Sequence, residues 1–230
     1  WRYARVAQPQ SFLSALTALH ADLDVPTALA SSSRADALLR RSGRDALALV
    51  RRIDALRRDG GSGGDYPRTE LGAALSQVER LVRSDVGLRV ATVDHGGFDT
   101  HFGQAFLLED RLRQLAEALA AFEASLGSLR DRVTVLCLTE FGRRAYENAS
   151  LGTDHGRASC AFVLGGGVRG GTVLGEWPGL EEGQLEEPGD LRVTTDFRDL
   201  AWEALGRGLG AQDRAAVFPD LTPQPVGAFG

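Results

Sequence analysis

Three short segments carry the residue types that can do chemistry: Val93-Asp94-His95-Gly96-Gly97-Phe98-Asp99-Thr100-His101, Thr139-Glu140-Phe141-Gly142-Arg143 and Gly152-Thr153-Asp154-His155-Gly156. Three of the chain's four histidines, His95, His101 and His155, fall inside them, each with a carboxylate close by. The first two segments follow short apolar runs that read as buried strands, and the third precedes one. Acidic and imidazole groups gathered at strand ends point to a divalent-metal site of the hydrolytic kind.

Each constellation admits a sharp and a bland reading. Asp99 and His101 follow a Gly-Gly turn, and an Asp-x-His spacing offers one carboxylate oxygen and one imidazole nitrogen to the same ion. The alternative is a surface turn in which Asp99 accepts backbone hydrogen bonds. Glu140 leaves the apolar run Val133 to Leu138 directly, where a carboxylate is costly to desolvate without a cation or several donors. It is either a metal ligand, with Arg143 as a planar fork for phosphate or sulfate oxygens, or half of a Glu140–Arg143 ion pair. His155 can coordinate through one ring nitrogen, with Asp154 ligating or orienting it; the bland form is a capping Asp beside a loop His. Asp94 and His95 precede the turn and carry a weaker signal.

The elements that would hold these residues fall into two styles. The first third reads as helical: one segment capped by Ser11, a second from about Arg34 to Arg58, and a third from Thr69 to Arg83 after the connector Gly60-Gly61-Ser62-Gly63-Gly64. From Leu88 onward, strand and helix alternate. Strands are expected at Leu88–Val93, Val133–Leu138, Cys160–Leu164 and Leu191–Thr194. Helices are expected at Phe106–Leu126, with Leu108, Leu112, Leu115, Leu119 and Phe122 inward, and at Asp196–Leu205. This alternation predicts an α/β domain over 66–230 with a largely parallel sheet, and a helical portion over 1–65 packed on it.

Composition narrows the function classes. The chain has 230 residues and a net charge of −5, so no basic face invites nucleic acid. No apolar run reaches the roughly 20 residues of a membrane-spanning helix. All 26 basic residues are arginine, which excludes a Schiff-base or phosphate-loop lysine. Gly165-Gly166-Gly167 leads into no helix and reads as a turn, not a dinucleotide fingerprint. Cys137, inside one strand, and Cys160, at the start of another, read as buried small hydrophobes, with a bridge between neighbouring strands as the alternative. The chain opens with Trp1 and lacks methionine, which predicts a C-terminal part of a longer protein, with a protein partner reachable through the preceding part.

Gly97-Phe98-Asp99-Thr100-His101, Thr139-Glu140-Phe141-Gly142-Arg143, Glu147-Asn148, Gly152-Thr153-Asp154-His155-Gly156, Phe162 through Gly167, and Thr195-Asp196-Phe197-Arg198 together resemble the signature blocks of domain-of-unknown-function family 1501. That family comprises bacterial proteins commonly exported by the twin-arginine route, which implies a periplasmic or extracellular location. It is in turn similar to the alkaline phosphatase–sulfatase superfamily. The resemblance implies a three-layer α/β sandwich and a zinc, manganese or calcium cluster acting on a small-molecule or polymer phosphate or sulfate ester. Asp99, His101, Glu140, Asp154 and His155 would serve as ligands, with Arg143 on the oxyanion. The superfamily's nucleophile-bearing first strand has no counterpart here, so a non-catalytic binding or assembly protein is the alternative.

Overall fold

The computed structural model describes residues 3–6, individual positions between 41 and 55, and 64–230. The positions described between 41 and 55 are helical, within the helix expected there. The helix expected after Ser11 lies outside the described residues. The chain divides into two units, Trp1–His95 with Gln114–Ser125, and Gly96–Arg113 with Leu126–Gly230.

In the first unit, β1 (Tyr3–Val6) pairs in parallel with β2 (Val90–Val93), Tyr3 opposite Val90 and Val6 opposite Val93. Helix α1 (Glu70–Arg83) begins where the sequence places it. The Thr69 hydroxyl accepts from Gly72 N at 3.0 Å, satisfying one orphan amide, and Arg80 and Arg83 in the last turn complement the helix dipole. Its buried aliphatic residues Leu71, Ala74, Leu75 and Val78 recur at i, i+3, i+4 and i+7 on one face, and Glu79 is buried as well. The end of α1 is tied to Ser125 of helix α2 (Gln104–Leu126), in the part of that helix that belongs to the first unit. Arg83 donates to the Ser125 carbonyl, and Tyr66 Oη lies 2.7 Å from Ser125 Oγ.

The inward face of α2 differs from the expectation. Of the five residues read as inward, Phe122 is buried, whereas Leu112 is 43% exposed. Leu108, Leu115 and Leu119 are half-buried, and Ala118, Ser125 and Leu126 are buried beside Phe122.

In the second unit, β3 (Thr134–Cys137) pairs antiparallel with β6 (Phe162–Gly165), Val135 opposite Leu164 and Leu136 opposite Val163. Between them β4 (Gly142–Arg143) and β5 (His155–Gly156) form a second antiparallel ribbon. Helix α3 (Phe197–Leu209) packs on β3 and is capped by Asp196, whose carboxylate accepts from Arg198 N at 2.9 Å. Two carboxylates of α3 hold the C-terminal segment: Asp199 accepts from Gln224 N, and Glu203 from the amides of Val226, Gly227 and Ala228. A short helix α4 (Arg214–Val217) precedes that segment.

The largely parallel three-layer sandwich is therefore corrected. The described residues form an α/β mixture of helices and three two-stranded sheets, of which only β1–β2 is parallel. A parallel return needs a crossover, usually a helix. Residues 138–161 hold no helix, only the two-residue strands β4 and β5, so β6 comes back antiparallel to β3. The strand expected over Leu191–Thr194 is also absent. Thr194 Oγ1 donates to the Glu176 carbonyl at 3.0 Å and Val193 is exposed, so side-chain bonding replaces a ladder there.

Both cysteines are free. Cys137 is half-buried, and desolvation holds its thiol above the ordinary pKa; Cys160 is exposed, against its reading as a buried hydrophobe. Gly165–Gly167 turns the chain after β6, with Gly165 and Gly167 at positive φ, as expected. No helix among the described residues is long and apolar enough to cross a membrane.

Candidate metal centre

The ribbon β4–β5 places the chemistry. Arg143 stands opposite His155 and Gly142 opposite Gly156. A Cβ at Gly142 would strike the Ala158 carbonyl, and one at Gly156 the Arg143 carbonyl, so both motif glycines are required by close backbone approach. A second loop closes on the start of α2. Gly103 N donates to Ser150 O at 3.0 Å and Gln104 N to Leu151 O at 2.8 Å, which satisfies amides that a helix N-terminus leaves open. Leu151 sits at φ +59, a left-handed conformation uncommon outside glycine.

These constraints bring Asp99, His101 and His155 together. Asp99 Oδ1 lies 2.8 Å from His155 Nε2 and 3.0 Å from His101 Nε2. One ligand atom from each of the three falls within 4.8 Å of the others. All three are open to solvent, with side chains 65%, 43% and 47% exposed in that order. His155 is sandwiched on one side by Phe141, ring centroids 4.1 Å apart and planes 12° from parallel. The two imidazoles lie 4.8 Å apart, centroid to centroid.

A carboxylate supports the ring of His101 from behind. Asp154 Oδ1 lies 3.2 Å from His101 Nδ1 and accepts from Asn148 Nδ2 at 3.1 Å. The sequence reading assigned Asp154 to His155; the geometry gives it to His101, leaving Nε2 of that ring on the Asp99 side. Both carboxyls are held below their ordinary pKa. For Asp99 the main cause is the hydrogen bond from His155, helped by the charges of His101 and Arg143. For Asp154 it is the hydrogen bond from Asn148 and then that from His101. Each is therefore ready to act as an anion.

The other expected residues are placed differently. Glu140 is exposed and does not belong to the group of facing ligand atoms. Arg143 donates to the carbonyls of Thr153 and, at 2.5 Å, Phe98, lies 3.8 Å from Asp99 and rests over the Phe141 ring at 5.0 Å. Its guanidinium thus staples the segments that carry Asp99 and His155. His95 falls in the first unit and outside the group. Asn148 stands among the family blocks in the sequence but was given no role there. Its signal was an amide side chain six residues before Asp154, in a loop rich in small residues.

The donor set fits a divalent ion of the catalytic type: two imidazole nitrogens, one ionised carboxylate oxygen and open positions toward solvent. Tetrahedral bonds of about 2.0–2.1 Å place ligand atoms about 3.3 Å apart, so Asp99 and the histidines need only a small opening to admit an ion.

The family model for "Protein of unknown function (DUF1501)" matches residues 6–221. Neither a curated protein nor a solved structure matches the chain. With the motif blocks of both ribbon strands and the α3 cap lying inside the matched span, the chain belongs to the DUF1501 family.

Proposed function

We propose that the chain is a metal-dependent hydrolase of phosphate or sulfate esters, and the observation that carries this reading is the convergence of Asp99, His101 and His155. A divalent ion held there supplies Lewis-acid polarisation of an ester oxygen and a water nucleophile at neutral pH, which removes the need for a protein hydroxyl. The imidazole pair favours zinc or iron over calcium, which takes oxygen ligands. Asp99, His101 and the late His155 also resemble ligand positions of the alkaline phosphatase–sulfatase superfamily, which supports the ester class. Asp99 stays anionic as a ligand, Asp154 orients His101, and Phe141 fixes the plane of His155.

A second reading, a non-catalytic binding or assembly protein that uses the metal structurally, draws support from Arg143. Two of its nitrogens already serve backbone carbonyls, which weakens its case as an oxyanion fork.

Elemental analysis of protein purified without chelator, followed by assays on para-nitrophenyl phosphate and sulfate, separates the readings. Stoichiometric metal, with turnover that needs it and falls at least 100-fold in His155→Ala, supports the hydrolase. Bound metal without turnover of either ester selects the binding protein. Protein that takes up none of zinc, iron or manganese ends both metal readings.

A further inference from the structure

We infer that Asn148 is a positioning residue of the metal centre, setting the ring of His101 through Asp154; this rests on the metal reading above. The side chain of Asn148 uses its two ends for two tasks. Its Oδ1 accepts from Ser150 N at 2.9 Å and Gly152 N at 3.1 Å, which closes the loop that precedes Asp154. Its Nδ2 donates to the His101 carbonyl at 3.0 Å and to Asp154 Oδ1 at 3.1 Å. One amide group therefore grips the backbone of a ligand and the carboxylate that orients that ligand's ring. The main chain reinforces the grip, with Asn148 N donating to Gly152 O at 2.8 Å and Leu151 N to Asn148 O at 3.2 Å.

The chemistry of the amide explains the residue type. The Asp154 oxygen that Asn148 holds is the same Oδ1 that faces His101 Nδ1 at 3.2 Å. That oxygen needs a donor from the loop and an imidazole N–H from the ring. With the Nδ1 proton committed to Asp154, Nε2 of His101 keeps its lone pair toward the ion. Groups that fix the tautomer and orientation of a ligating histidine commonly contribute 10–100-fold to metal affinity. Aspartate at 148 has nearly the same shape and can still accept from Ser150 and Gly152. It cannot donate to Asp154 and sets a like charge against it. Asn148→Asp thus spares the loop-closing acceptor and removes the positioning donor.

The test uses zinc titrations of the whole chain with a chelator-indicator pair, together with ¹⁵N imidazole spectra of the zinc-loaded protein. Asn148→Asp should raise the zinc Kd about 10–100-fold, and the protected Nδ1–H signal of His101 should broaden or vanish. Asp154→Ala should do the same. In the Asp154→Ala background, adding Asn148→Asp should cost less than a further twofold, because the route through Asp154 is already gone. A purely loop-closing role predicts the opposite: zinc affinity within twofold of wild type in Asn148→Asp and an intact Nδ1–H signal. Either result overturns the inference while leaving the metal reading standing. Should Asn148→Asp fail to fold, Asp154→Ala decides, and unchanged zinc affinity there removes the route. A wild-type chain that binds no zinc brings down the metal reading and the Asn148 role together.

Discussion

The two antiparallel ribbons of the second unit are built on opposite principles. In β3–β6 four residues pair with four, and the sequence alternates nothing: Val135, Leu136, Val163 and Leu164 are apolar and half-buried, backed by α3. Its stability comes from side chains. In β4–β5 two residues pair with two, half of them glycine, and the side chains that remain, Arg143 and His155, face the site. That ribbon is held by close backbone approach and by hydrogen bonds from its surroundings. Packing side chains tolerate replacement by others of similar volume, whereas a backbone contact leaves no atom to trim.

The largest effect should follow from putting an atom into the second ribbon. Gly156→Ala places a Cβ against the Arg143 carbonyl and should cost about 3 kcal/mol, at the upper end for overpacking, with zinc affinity falling at least tenfold. Urea melts and zinc titration read both, and a stable variant with normal zinc binding would erase the contrast. Trimming the first ribbon should be milder and local. Leu136→Ala should cost about 2 kcal/mol, the low end for a core leucine because this one is half-buried, with zinc Kd within twofold of wild type. Loss of zinc binding in that variant would mean the ribbons act as one.

Arg143→Lys sharpens the role of the staple. A single ammonium cannot span the Thr153 and Phe98 carbonyls, so we expect a loss of about 1 kcal/mol with phosphate affinity unchanged. A weakened phosphate affinity at constant melting temperature would return Arg143 to the oxyanion. The smallest effect concerns acid. Asp196 caps the helix that backs β3, and the Arg198 guanidinium holds its carboxyl below the ordinary value of 3.8. Its contribution is present in full above the unfolded value and is lost as pH falls through the lower folded one. The stability gap between wild type and Asp196→Asn should therefore shrink only below about pH 4. A gap that stays constant down to pH 2 would detach the cap from the ion pair.

Residue types were the readable part of the site. Asp99, His101 and His155 stood out because imidazoles and carboxylates recur beside glycines at the ends of apolar runs. What a linear reading could not supply was partner choice across loops: Asp154 adjoins His155 in sequence yet serves His101, and Glu140 follows a strand but does not join the group. Both depend on the two-residue ribbon, whose register is fixed by glycine contacts that carry no hydrophobic period. In the fold, the Thr69 cap and the Leu71–Val78 face of α1 were legible because capping and 3.6-residue periodicity are local. Strand direction was not, because it depends on whether a helix bridges two strands, and between β3 and β6 only the β4–β5 ribbon intervenes. On α2 the expected line held at Phe122 and failed at Leu112, while the buried Ala118 and Ser125 carry little hydrophobic signal in the sequence.

The unequal cysteines give the chain a ready handle for labelling. Thiol reagents attack the thiolate, and desolvation suppresses that form at Cys137 while Cys160 stands exposed just before β6. A maleimide dye added at neutral pH should therefore mark Cys160 first without any engineered substitution. These 230 residues contain no lysine, so none of their side chains offers a competing amine. A fluorophore so placed, beside the β3–β6 ladder, would report fraying of that ribbon in real time, and delayed modification of Cys137 would time its opening.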